Sequence, residues 1–380
     1  MFTRDKLILL QRNWFSIDKK LFFSFVLLMV LGCVFSFSFS VPVARRIGLG
    51  DYYFFKRHII FSVASILITF LVANVSSHMA RGSSFLLFYA SLILLVLVPF
   101  FGFHTKGARR WLYIAGISIQ PSEFAKPFFI LFSAHFLDKF SRTAEPRTLL
   151  VPLLVCPAAI LLIFRQPDVG TFLLLSLVLS VQILMTDFFR LRHCIYMLLI
   201  FLIMFAITYI TFPHVSDRIA NFLTGARDIG RAHYQVRESI MAYRNAGWLG
   251  RGFLEGKTKN HIPDIHTDFI FPAIAEEFGF AVALGIVLVY FYIAIRAMLK
   301  AKQRNSEYEF LAINGLIFLL VLQACINICV SLNLLPTKGI TLPFLSYGGS
   351  SALGTALASG YLLVFTKKEF GVLARSENSS

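Results

Sequence analysis

The chain is written in long, continuously apolar blocks separated by short polar stretches. A helix needs about 17 to 25 apolar residues to cross hydrocarbon. A membrane barrel would instead show segments of about ten residues with alternating polarity. The blocks therefore predict helices, whose backbone groups are satisfied within each segment. Ten spans are expected, at 21–41, 58–74, 83–101, 122–137, 149–164, 170–186, 194–212, 269–295, 308–332 and 349–366. The predicted fold class is an all-α integral membrane protein with about ten transmembrane helices, forming a single polytopic domain over 1–380. A long extracytoplasmic loop, 213–267, separates helices seven and eight.

Basic residues set the orientation. Their raw count is nearly balanced between the two sides, but the short loops are not. Segments 138–148, 187–193 and 296–307 and the tail 367–380 are basic. An even number of spans then puts residues 1–20 and the tail in the cytoplasm. The first block follows a basic stretch but is too long for a signal-peptide core, so it reads as a retained helix. Of 380 residues, 57% are hydrophobic and 15% charged, with a formal net charge of +16. Inner-face membrane electrostatics accounts for much of that excess. Nucleic acid is excluded as a partner, since no soluble basic domain exists to hold it. All five cysteines fall inside expected spans, so no disulfide framework is visible.

Polar residues inside such a pattern carry the chemistry. A charge near the centre of a bilayer costs about 2.5 to 3.5 kcal/mol on insertion scales, so buried acids normally face an internal cavity. Four segments stand out, and the topology puts all of them on the outer side. The first is Arg109-Arg110-Trp111 with Gln120-Pro121-Ser122-Glu123 and Lys126. Pro121 suits a first helical turn, and Glu123 with Lys126 at i, i+3 reads either as a self-neutralising pair or as part of a site. The second is Gln166-Pro167-Asp168-Val169-Gly170, where Asp168 either caps the sixth span or serves the site. The third is the glycine-rich end of the long loop, from Gly247 to Lys259. It leads into His266-Thr267-Asp268-Phe269-Ile270-Phe271.

Asp268 is either an N-terminal cap or a chemical group. On a continuous helix Glu276 would lie about 80° around from it and Glu277 about 180°, so only Glu276 would share its cavity. His266 reads as an orienting group, a cation ligand or a structural hydrogen-bonding residue. The fourth segment runs from Leu335 to Phe344 and continues as Ser346-Tyr347-Gly348-Gly349-Ser350-Ser351. Its prolines and glycines interrupt helix, and irregular backbone at membrane depth is tolerated only where protein or water satisfies it. The Gly-Gly-Ser-Ser start presents amides to an anion or allows close helix packing.

Taken together, these motifs resemble the SEDS family, the shape, elongation, division and sporulation polymerases of bacteria, in the right order over nearly the whole chain. Leu335-Pro336-Thr337-Lys338-Gly339, and Glu255-Gly256 with Lys259 before Ile262-Pro263-Asp264, resemble the division type rather than the elongation type. Leu254 and Pro272 depart from the family pattern, which commonly has glycine and alanine there.

The resemblance implies a peptidoglycan glycosyltransferase that polymerises lipid II at the outer face of the cytoplasmic membrane. It implies Asp268 as the general base, and a class B penicillin-binding protein and other divisome proteins as partners. Arg109, Arg110, Lys259 and Lys338 are then the candidates for holding pyrophosphate, alone or with a divalent cation such as Mg²⁺ or Mn²⁺. Trp111 stacks on sugar or anchors at the interface. Glu123, Lys126, Asp168, His266, Glu276, Ser346 and Ser350 complete the expected substrate site. A lipid II flippase is the rival reading. It would need access from both faces, whereas the polar motifs share one, and no inverted repeat supports it.

Overall fold

The computed structural model describes residues 14–105, 108–114, 116–145, 147–186, 213–224, 231–337 and 339–367, with scattered positions between 195 and 211. Helix α1 (Lys19–Arg46) begins where the Asp18 side chain accepts from Leu21 N (3.1 Å) and ends on two arginines that suit the C-terminal dipole. Helices α2 (Tyr53–Ala73) and α3 (Ser77–Phe101) follow, the second capped by Ser76, which accepts from Met79 N (3.2 Å). A feature absent from the apolar pattern comes next. Strands β1 (Phe103–Thr105), β2 (Ala108–Ile114) and β3 (Ile117–Ile119) form an antiparallel meander, with Phe103 opposite Trp111 and Leu112 opposite Ile119. Its strands are too short to leave a period in the sequence.

Helix α4 (Pro121–Thr143) starts with Pro121 in its first turn. It is buried from Pro121 to Ala134 on nearly every face, because α3, α5 (Arg147–Arg165), α6 (Val169–Leu184), α10 (Glu307–Ser331) and α11 (Gly349–Phe365) all pack on it. Gln182 ties this centre together. Its amide nitrogen, Nε2, donates to Ile130 O (3.1 Å) and Leu311 O (3.3 Å), and its Oε1 accepts from Ser133 Oγ (2.6 Å).

The long segment after the seventh span holds helices α7 (Pro213–Thr224) and α8 (Arg231–Ala246). Helix α8 is fastened to the end of α10, where Ser239 Oγ donates to Ser331 O (2.5 Å) and Tyr243 Oη meets Ser331 Oγ (2.6 Å). Helix α9 (Ile270–Ala301) is bent at Gly279, whose φ of 86° breaks the helical path. The expected spans coincide with described helices except the seventh, 194–212, which lies largely outside the described residues. Helices α1, α2, α3, α9 and α10 are each long and apolar enough to cross a membrane. Exposed apolar side chains such as Leu67, Leu71, Leu86, Ile93, Leu288 and Phe291 lie on these helices, as lipid contact requires. The molecule is a helical, multi-pass membrane protein.

Candidate active site around Asp268

Asp268 stands on a tight turn at the mouth of α9. Thr267 N (3.2 Å), Asp268 N (3.0 Å) and Phe269 N (3.3 Å) all donate to Asp264 O. The N-cap residue of α9 is Phe269, whose side chain makes no capping hydrogen bond, and Asp268 stands one residue before it. Its half-buried carboxylate faces Gly339, where an added β-carbon would lie 3.1 Å from Oδ2.

The strap 339–348 wraps this turn. Ser346 Oγ accepts from Leu342 N (2.9 Å) and donates to Thr267 O (2.5 Å), and Tyr347 N donates to His266 O (2.9 Å). The His266 ring forms a triangle of contacts with Phe54 (4.8 Å between centroids) and Tyr347 (5.4 Å), which also touch each other (5.3 Å). Burial pushes the Tyr347 phenol above its ordinary pKa, so it remains protonated at neutral pH.

Three of the four polar segments meet here. Ile340 packs over the position of Gly170, where a β-carbon would lie 3.3 Å from its side chain. Asp168 caps α6 by accepting from Thr171 N (3.4 Å), and its other oxygen accepts from Gln120 Nε2 (3.5 Å). Arg110 closes over the same hairpin. Its Nε donates to Gln166 O (3.1 Å), Nη2 donates to Pro167 O, and Nη1 lies 3.9 Å from Asp168 Oδ1. Ser350 Oγ accepts from Gln120 N (3.0 Å). Below them Lys126 Nζ and Glu123 Oε2 pair at 2.7 Å, both buried, beside the close approach of Gly354 to the Glu123 carbonyl.

Several expected substrate contacts serve the protein instead. Lys259 was expected to face pyrophosphate, but its ammonium is spent on Glu277 Oε1 (2.7 Å), Leu254 O (2.6 Å) and Ser38 Oγ (3.0 Å). Three bonds use all the donors an ammonium has. Glu276 does not point toward Asp268. Its Oε2 accepts from Thr258 N (2.9 Å) and its Oε1 lies 3.7 Å from Arg251 Nε, so it holds the 251–258 loop. The helical-wheel argument fails because Asp268 precedes the helix. Ser346 and Ser350 hold backbone, and His266 packs against the Phe54 and Tyr347 rings. Arg109 is exposed, with Nη1 donating to Pro99 O (3.2 Å), and Trp111 is half-buried on β2. Lys338 lies outside the described residues.

Arg57 and Asn327 escaped the sequence reading. Arg57, at the outer end of α2, donates to Tyr53 Oη (2.7 Å) and lies near enough to Tyr347 to act on it electrostatically. Its place beside an aromatic run at a span's mouth was the available signal. Asn327 sits in an apolar block, where only its polarity marked it. Among the described residues no group of three or more His, Cys, Asp or Glu side chains could hold a metal.

The fold and the site define a polytopic helical membrane protein with a carboxylate set in a strapped turn. The chain belongs to the family of FtsW, RodA and SpoVE cell cycle proteins, whose model matches residues 18–369. It is 34% identical over 364 residues to the probable peptidoglycan glycosyltransferase FtsW of Caulobacter vibrioides, covering 96% of this chain and 92% of that one. It is likewise 34% identical over 364 residues to the protein of that name from Halorhodospira halophila, covering 92% and 90%. Among solved structures, a chain of a peptidoglycan synthase complex that coordinates polymerization and crosslinking superposes with a TM-score of 0.77 at 27% identity, covering 93% of this chain and 98% of that one. The rod shape determining protein RodA of Thermus thermophilus gives 0.69 at 25% identity, with the same coverages.

Proposed function

We propose that this protein is a peptidoglycan glycosyltransferase that polymerises lipid II on the outer face of the cytoplasmic membrane, with Asp268 as its general base. The observation that carries this reading is the carboxylate itself: it is held on a turn whose backbone is pinned, and it faces glycine rather than a bulky side chain. The names borne by relatives of 34% identity support it.

In the reaction, Asp268 takes the proton from the 4-hydroxyl of the acceptor GlcNAc. The oxygen attacks C1 of the donor MurNAc on the face opposite the leaving group. The C1–O bond to undecaprenyl pyrophosphate breaks, the configuration inverts and a β-1,4 link forms. An ordinary carboxylate is a weak base, so its contribution depends on being held within hydrogen-bond reach of that hydroxyl. With Lys259 spent, Arg57, Arg109, Arg110 and Lys338 are the cations offered for the pyrophosphate, and guanidinium forks suit its oxygens.

The division type is supported by relatives of 30–34% identity that bear the name FtsW. A class B penicillin-binding protein and other divisome proteins at the septum are the partners this reading implies. The test is glycan polymerisation from labelled lipid II by the purified protein with its cognate class B partner, native against Asp268→Ala at equal folding. Polymer from the native complex alone is expected. Scrambling of lipid II between leaflets by both proteins, with polymer from neither, would replace the transferase with a transporter.

A further inference from the structure

The three carbonyls that end with Asp268 are each captured. His266 O accepts from Tyr347 N (2.9 Å), Thr267 O from Ser346 Oγ (2.5 Å) and Asp268 O from Asn327 Nδ2 (2.9 Å). The first two donors belong to the strap. The third comes from across the bundle, on α10, and the same nitrogen donates to Ile340 O (2.7 Å). One side-chain amide therefore joins the turn that carries the carboxylate to the strap that faces it.

The orientation of this amide is chemically determined. Turned over, its oxygen would oppose two carbonyl oxygens, whereas Nδ2 has two hydrogens to give them. The residue is 2% exposed, and its Oδ1 has no hydrogen-bond partner among the described residues. A buried amide with an idle acceptor is costly in an apolar helix. What that cost secures is the geometry on the other side. Asp268 N is tied to Asp264 O (3.0 Å) and Asp268 O to Asn327, so the peptide groups flanking Asp268 are both pinned. Gly339, which faces Oδ2, immediately precedes the second residue that Asn327 holds.

We propose that Asn327 is a positioning residue for the Asp268 carboxylate, setting its placement against the Gly339–Ile340 strap through this double donation. The proposal rests on the reading of Asp268 as general base. Gln182 supplies the comparison, being another fully buried amide that bridges two carbonyls, but among α4, α6 and α10 rather than at the turn.

The experiment compares Asn327→Leu, Asn327→Asp and Gln182→Leu in the full chain with its class B partner. Two readouts are taken: polymerisation kinetics, and the rate of carbodiimide labelling of Asp268 followed by mass spectrometry. A misplacement of about 1 Å can cost about 100-fold in rate. Asn327→Leu is expected to lower kcat by about that factor with KM nearly unchanged and to alter Asp268 labelling several-fold. Asn327→Asp can donate one of the two bonds only when its carboxyl is protonated, so its kcat relative to the native protein at the same pH should rise as pH falls. Gln182→Leu should lose thermal stability but keep native kcat and native labelling in its folded fraction. Unchanged kcat and labelling in Asn327→Leu, or losses matching those of Gln182→Leu, overturn the proposal. If the native complex makes no polymer, the transferase reading fails separately, and the labelling rate still decides whether Asn327 places Asp268.

Discussion

Gly339 lies so close to Asp268 that a β-carbon there would stand 3.1 Å from Oδ2, tighter than ordinary van der Waals contact. The glycine keeps open the space directly before the carboxylate. Gly339→Ala should therefore displace the carboxylate by a few tenths of an ångström and lower polymerisation by about tenfold or more, with little change in thermal stability. Native turnover by a folded Gly339→Ala protein would show that this approach does not constrain the reaction.

Lys259 and Glu277 form a buried pair, 8% and 1% exposed, that anchors the end of the long loop to α9 and, through Ser38, to α1. Removing one partner of such a pair costs about 3 to 5 kcal/mol, while replacing both by apolar groups is often tolerated. Lys259→Met should thus lower the melting temperature sharply, and Lys259→Met with Glu277→Leu should recover much of it. Failure of the double variant to recover stability would return Lys259 to a role in binding.

Gly279 and Gly250 interlock where α9 bends. A β-carbon on Gly279 would lie 2.2 Å from Trp248 O and one on Gly250 2.3 Å from Glu277 O, and both residues have positive φ. Left-handed strain alone costs about 1 to 3 kcal/mol for a residue with a side chain. Either alanine substitution should destabilise the protein by at least that amount, measured by thermal unfolding in detergent. A variant as stable as the native protein would mean that the loop does not dock on the bend.

Glu123 and Lys126 satisfy each other at 2.7 Å beside the outer cluster. The exchanged variant, Glu123→Lys with Lys126→Glu, keeps a pair of opposite charges at the same spacing. If the pair only neutralises itself, the exchange should preserve stability and turnover alike. Because the pair lies in the first turns of α4, just after Gln120, which donates to Asp168, we expect stability near native and turnover reduced by about tenfold or more, read as kcat/KM in the polymerisation assay.

Much of the architecture is written in one dimension. Long apolar blocks must become helices in lipid, because an unpaired backbone has no solvent there. Helices α1, α4, α6, α9 and α10 accordingly stand where continuous hydrophobicity put them, and Pro121 and Asp168 open their helices as their chemistry requires. The short strands of the meander left no such mark. Asp268 stands out in the sequence because an acid before an apolar helix is costly, and the proposed role as general base starts from that cost.

What the sequence determined by itself was therefore the membrane class, the helical segments and the position of an acid at the mouth of α9, since each depends on local polarity alone. Which polar groups remain available to a ligand was decided only by the tertiary structure. Lys259 is taken up by Glu277 and Ser38, Glu276 by Thr258 and Arg251, and the carbonyl of Asp268 by Asn327, partners that lie between 18 and 221 residues away along the chain. Hydrogen bonds in a low-dielectric interior are settled by proximity in space, and composition carries no record of which donor will meet which acceptor.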